Sequence, residues 1–162
     1  MLYIQTHYLF FVYNYTHNGK LVKLLIDKQL NYDNLKKQLA CEFVLFCAEN
    51  LPIESDFKVY LVTNRKNHRI GTTAVYEVGN NCCRIYAKNR AFADVLRSIA
   101  HEMTHMMQDE MGLITGPIRD AGGFHEDQAN ARAGELIKLF AKSKKDRKAI
   151  YESKLLFQQY VL

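Results

Sequence analysis

The chain predicts an α+β fold, with a small, mostly antiparallel sheet in the first half packed on one central helix and on further C-terminal helices. Three observations carry that expectation. Apolar and aromatic runs of strand length dominate the chain as far as Lys88. Near Arg90 the hydrophobic period becomes helical and stays so. The order is therefore strands first and helices second, which is the pattern of an α+β domain rather than of alternating βαβ units.

Residues 2–13 and 20–26 are rich in Tyr, Phe, Val, Leu and Ile, with His17-Asn18-Gly19 between them. Asn-Gly flanked by β-prone runs is a hairpin signal. Asp33 is placed to cap a helix running to about Glu49, in which Leu35, Leu39, Phe43 and Phe46 recur at helical spacing. Strand-like runs follow at Phe57–Thr63, Thr72–Val78 and Cys82–Lys88, the last two joined by the turn candidate Gly79-Asn80-Asn81. A helix is expected from about Arg90 to Met111, with Leu96, Ile99, Met103 and Met106 as its buried stripe and Gly112 as its stop. A loop with Gly116-Pro117 and Gly122-Gly123 leads to another helix, about His125 to Lys142. A last helix is expected from about Lys145 to Tyr160.

The chain has 162 residues, enough for one domain with a real core, and no repeat or linker divides it. A single domain over residues 1–162 is expected. With 48% hydrophobic and 24% charged residues the composition excludes disorder. The formal charge of +5 is a mild tilt toward acidic partners. The N-terminal MLYIQTHYLFFVYNYTHNGK lacks a basic region and a small-residue cleavage site, so no signal peptide is expected, and no apolar stretch is long enough for a membrane span. The four cysteines, Cys41, Cys47, Cys82 and Cys83, form no C-x-x-C pair; reduced, structural thiols in a cytoplasmic protein are the expectation. Lys142 to Lys148 is the densest charge cluster. It is read as a solvated connection, with weak nucleic-acid contact as the alternative. The Tyr-rich N-terminus has no interleaved basic residues and reads as core strand rather than a base-stacking platform. Nothing in the sequence indicates an oligomeric state.

The segment His101-Glu102-Met103-Thr104-His105 carries the chemistry. Residues four apart on a helix differ by about 40° in direction, so His101 and His105 project from one face and suit a shared Zn²⁺. Glu102 lies beside them, placed to act on a metal-activated water as general base rather than as a ligand. At this chain's own His and Glu frequencies, chance alone gives such a match in roughly one sequence per hundred. The helical context, without Pro, makes the match more specific than that.

A catalytic zinc needs a third protein ligand and one open position. Gln108 and Met111 stand where H-E-x-x-H-x-x-G-x-x-H would need Gly and His, which excludes a metzincin. The downstream candidates are Asp109, Glu110, Asp120, His125, Glu126 and Asp127. Asp109 and Glu110 ride on the histidines' own helix and cannot easily fold back. Glu126, in the first turn of the next helix, is well placed if the glycine-bearing loop reverses the chain. That helix has Ala129, Ala133, Ile137 and Phe140 as a packing stripe, and its alanines allow close approach. His125 is the rival ligand, and a carboxylate at Glu126 is also favoured simply by a helix N-terminus.

Ile99-Ala100-His101-Glu102-Met103-Thr104-His105, followed by Glu126-Asp127-Gln128-Ala129-Asn130, resembles the gluzincin metallopeptidases. The second segment is similar to the E-x-x-A-N signature of the ImmA/IrrE-type peptidases of phages, mobile elements and bacteria. The likeness covers roughly residues 82–140. It implies a zincin-like domain, Glu126 as third zinc ligand, and a cleft between sheet and zinc helix with the strand Cys83 to Lys88 at the sheet edge. Arg132 and Gly134 depart from the apolar residues usual after E-x-x-A-N, and no helix-turn-helix module accompanies the domain. SprT-like proteases share H-E-x-x-H with a third His, for which His125 would serve.

The expected activity is endopeptidase hydrolysis of protein or peptide substrates in the cytoplasm of a bacterial or phage-infected cell. Zn²⁺ would be held by His101, His105 and Glu126, with Glu102 as general base. Tyr86, His125 and Arg119 are the candidates for stabilising the transition state. Alternatives are a SprT-like DNA-associated protease, a non-catalytic zinc-binding phage interaction protein, and a zinc hydrolase of non-peptide amides.

Overall fold

Asn18 and Gly19 both adopt left-handed backbone, with φ of 50° and 76°, and turn β1 (Phe10–His17) into β2 (Lys20–Asp27). The computed structural model describes residues 9–65, 73–114 and 123–151. The first strand therefore extends right up to the turn, four residues beyond the run expected from its apolar content; its positions before residue 9 lie outside the described residues. Cross-strand pairing carries the polar Asn14, Thr16 and His17 into the ladder opposite Lys23, Leu21 and Lys20.

A short 3-10 turn (Lys28–Leu30) precedes helix α1 (Asn34–Asn50). Asp33 caps α1 as expected, its Oδ1 accepting from the Lys36 amide at 2.8 Å. Leu39 and Phe43 are buried, but Leu35 is 39% exposed. The inner side of that first turn is taken by Lys36, whose ammonium lies 5.2 Å from the Tyr32 ring centroid.

Strands β3 (Phe57–Val62), β4 (Ala74–Glu77) and β5 (Cys82–Tyr86) complete a five-stranded sheet of order β1-β2-β3-β5-β4. The sheet is mixed, not mostly antiparallel. β1 with β2 and β4 with β5 are antiparallel, whereas β2, β3 and β5 run parallel. The reason lies in the connections: α1 carries the chain back between β2 and β3, which is what a parallel pair requires. β4 then takes the outer position, and the turn at Gly79 and Asn81, both left-handed, returns β5 into the gap beside β3. The strand before the zinc-helix candidate is consequently interior, and β4 forms the edge.

Helix α2 (Phe92–Glu110) and helix α3 (Phe124–Ser143) match the expected spans within two residues. α2 packs on β4, β5, α1 and α3. Its predicted stripe of Leu96, Ile99, Met103 and Met106 is fully buried, together with Val22, Leu24, Val59, Leu61, Cys83 and Ile85 from the facing side of the sheet. Phe140 of α3 meets Phe43 and Phe46 of α1 edge-on, at centroid distances of 5.0 and 5.4 Å. The helices thus share one core over one sheet face. All four cysteines are buried and free, as expected of structural thiols.

After α3 the chain enters a 3-10 helix (Lys145–Tyr151) rather than the α-helix expected there; the remainder of that expected element lies outside the described residues. Arg147 is drawn inward, its guanidinium stacked 4.3 Å from the Phe140 centroid and donating to Ser143 Oγ at 2.7 Å. Among the described residues no helix is long and apolar enough to cross a membrane.

Candidate metal centre

α2 is stopped at its C-terminus by its own residues. At its C-terminus Gly112 (φ 70°) follows the helix, its amide donates to Asp109 O, and the Leu113 amide donates to Gln108 O. This pair of bonds is a Schellman stop. The two acidic residues of the last turn reach outward from the histidines. Asp109 Oδ2 accepts from the Tyr76 hydroxyl at 2.5 Å and from the Gly79 amide at 3.2 Å, tying the β4–β5 hairpin to α2. Glu110 accepts from the amides of Glu54 and Ser55 at 2.8 and 3.0 Å. Both candidates are thereby engaged as tethers.

One turn earlier the histidines meet Glu126. Nε2 of His101 lies 2.9 Å from Glu126 Oε1, Nε2 of His105 lies 3.0 Å from Oε2, and the two Nε2 atoms are 3.2 Å apart. Among the described residues these three side chains form the group of potential ligands, with all donor atoms within 4.8 Å of one another. His125, Asp109 and Glu110 are not in it. Ala129 and Ala133, fully buried on α3, bring the two helices close enough for Glu126 to arrive. Glu126 sits in the first turn of α3, where the helix dipole also favours a carboxylate.

The donor set fits zinc. Two donors on a tetrahedral ion at ~2.1 Å stand ~3.4 Å apart; the two Nε2 atoms, 3.2 Å apart, are near that spacing, and each has a different Glu126 oxygen beside it. Two imidazoles and a carboxylate are a recognised catalytic zinc set that leaves a fourth position open. The His105 side chain is buried (3% exposed), whereas His101 and Glu126 retain 17% and 14%. The cluster is therefore reachable from the His101–Glu126 side.

Each imidazole has an amide partner. Gln108 Oε1 lies 2.8 Å from His105 Nδ1, and the Asn130 side chain hydrogen-bonds the His101 ring. Burial lowers the His101 pKa, opposed by the nearby Glu126 carboxylate and reinforced by His105. Glu102 is buried beside the pair, near enough to Cys83 to add to the upward push that burial gives that thiol. The general-base candidate is thus a buried carboxylate on the helix that carries both histidines, within electrostatic reach of Cys83 on β5.

The candidates for transition-state stabilisation fare differently. Tyr86 alternates with Ile85, so its ring lies on the sheet face away from the helices, beneath the Arg65 guanidinium at 5.2 Å. The structure does not bring it to the cluster. His125 adjoins Glu126 but its Nδ1 is buried without a hydrogen-bond partner, and its ring packs edge-on against Phe124. Arg119 lies outside the described residues, as does the ligand candidate Asp120. Arg132, just after the E-x-x-A-N segment, donates to Asn50 O at 2.7 Å and so closes the C-terminus of α1.

Sequence reading did not single out Gln108 as a partner of His105. The available signal was its position three residues after His105, which puts both on one helix face. No protein-family model and no curated protein matches the chain.

Proposed function

We propose that this protein is a zinc-dependent metallopeptidase of the gluzincin type, hydrolysing peptide bonds with Glu102 as general base. The observation that carries the reading is the convergence of His101 Nε2, His105 Nε2 and the Glu126 carboxylate within 3.2 Å of one another. The partial exposure of His101 and Glu126 supports a catalytic rather than a purely structural site, because structural zinc sites are closed by four protein ligands.

A zinc ion held by these three residues supplies Lewis acidity toward a water and a substrate carbonyl. The protein's own part is positional and acid–base. Glu102 takes the proton of the attacking water and returns it to the departing amine. Its burial beside the histidine face keeps that proton transfer out of bulk solvent. An extended peptide would add along β4, the sheet edge adjoining α2, through backbone hydrogen bonds. A cytoplasmic setting and a phage or bacterial role belong to the same proposal and rest on the resemblance of the two motifs alone.

The test is the zinc content of purified protein, compared among wild type, Glu126→Ala and His125→Ala. Near one zinc per chain, lost in Glu126→Ala and kept in His125→Ala, supports the site. A peptide-library digest with Glu102→Gln as the inactive control then tests the reaction. Absence of zinc from reconstituted wild type overturns the proposal, and loss only in His125→Ala favours the SprT-like arrangement.

A further inference from the structure

Gln108 is fully buried in α2, and each polar atom of its side chain has a partner. Its Nε2 lies 3.0 Å from the backbone oxygen of His125 and 2.8 Å from Gln128 Oε1, while its Oε1 lies 2.8 Å from His105 Nδ1. A backbone carbonyl only accepts hydrogen bonds, so the amide nitrogen must face it. That settles which way round the Gln108 amide stands. Its oxygen, an acceptor only, faces the His105 ring, so His105 Nδ1 must carry the proton.

We infer that Gln108 is a positioning residue that holds His105 in its Nδ1–H tautomer, leaves the Nε2 lone pair for a cation, and locks the start of α3 against α2. The inference rests on the metal reading above. With the proton on Nδ1, the neutral ring presents a lone pair to the Glu126 carboxylate 3.0 Å away and to His101 Nε2 at 3.2 Å. Electron-rich atoms at that spacing repel unless a proton or a metal cation lies among them, and with the ring neutral a metal cation takes that place. The same amide fixes the ring's rotation, since hydrogen-bonded orientation of the distal nitrogen is what sets a metal-binding imidazole. Its two N–H donors grip His125 O and Gln128, the residues flanking Glu126 on α3, so a single side chain registers the second and third ligands against each other.

Two variants separate these roles. Gln108→Leu removes both functions, whereas Gln108→Glu keeps an acceptor for His105 and loses the donors to α3. The readouts are long-range proton–nitrogen NMR spectra of the metal-free histidine rings, the zinc dissociation constant by chelator competition, and the unfolding midpoint. Wild type is expected to show His105 as the Nδ1–H form at a pH where the ring is neutral. Gln108→Leu should lose that single form and bind zinc about 10–100-fold more weakly. Gln108→Glu should keep the Nδ1–H form, with an affinity much closer to wild type and a lowered midpoint.

A wild-type spectrum with His105 in the Nε2–H form overturns the inference, whatever the variants do. So does a folded Gln108→Leu whose zinc affinity and ring spectrum are unchanged. If wild type binds no zinc, the metallopeptidase reading fails, while the ring spectra still decide whether Gln108 sets the tautomer.

Discussion

The Tyr76 hydroxyl donates a 2.5 Å hydrogen bond to Asp109, joining the edge strand β4 to the last turn of the helix that carries both histidines. Tyr76 is buried, and its hydroxyl pKa is pushed up first by burial and then by the bond to Asp109. Among the described residues, removing the hydroxyl leaves the carboxylate with the Gly79 amide at 3.2 Å. Tyr76→Phe should therefore lower stability by about 1–2 kcal/mol and speed amide exchange in β4 more than in β3. Denaturant unfolding with residue-resolved hydrogen exchange checks it, and uniform exchange across the sheet would contradict the tether.

The His101 ring has a lowered pKa because burial penalises its charged form, against the opposing pull of Glu126. The native pKa is then below the unfolded value of about 6.5. As pH falls through that value, the unfolded chain binds more protons than the native one, so stability present above it is lost toward the native pKa. Metal-free wild type should lose urea stability on acidification below about pH 6.5, and His101→Gln should lose less. An equal slope in both proteins would rule out the ring as the cause.

All four cysteines are buried, and burial raises their pKa values, Cys82 to about 11. A thiol reagent acts on the thiolate, so native protein near neutral pH should react slowly at every cysteine. Four equivalents should react promptly once the chain is unfolded. Fast labelling of one thiol in the native state would single out that cysteine as accessible and undo the structural assignment for it.

Gly134 sits inside α3, and a Cβ built there meets nothing within 4 Å. Its helical backbone needs no glycine. Gly134→Ala should stabilise the protein by roughly 0.5–1 kcal/mol through helix propensity and reduced unfolded-state entropy. Thermal unfolding is the check, and a lowered midpoint would mean that the position has a close neighbour after all.

Much of the local architecture was legible before any coordinates. Asn18-Gly19 marked the hairpin, Asp33 the cap, Gly112 the helix stop, and the stripes of α2 and α3 the core. Each depends on a few adjacent residues, and backbone geometry at that range is set by side-chain sterics and local hydrogen bonds. The sheet's pairing was not legible in the same way. Alternating apolar runs do not distinguish a parallel neighbour from an antiparallel one. The 17-residue α1 between β2 and β3 was the available clue to a crossover, and it was passed over. The face taken by Tyr86 was open for a related reason: a strand aromatic has two faces to choose from, and the pairing of β5 with β3 and β4 sends this one away from the helices.

At the candidate metal centre the division is sharp. The pairing of His101 with His105, and the placing of Glu102 beside them, are determined by the sequence itself because helix periodicity relates residues four apart without help from the rest of the chain. Glu126 stood out through its motif and the small-residue stripe behind it, but His125 remained its rival on spacing. Only the packing of α3 on α2 tells these neighbours apart, by bringing the Glu126 carboxylate to both Nε2 atoms while His125 stays outside that group. The same packing gives Gln108 its two partners on α3. Contacts between segments far apart in sequence depend on how whole faces bury one another, a sum over many residues that no short pattern contains.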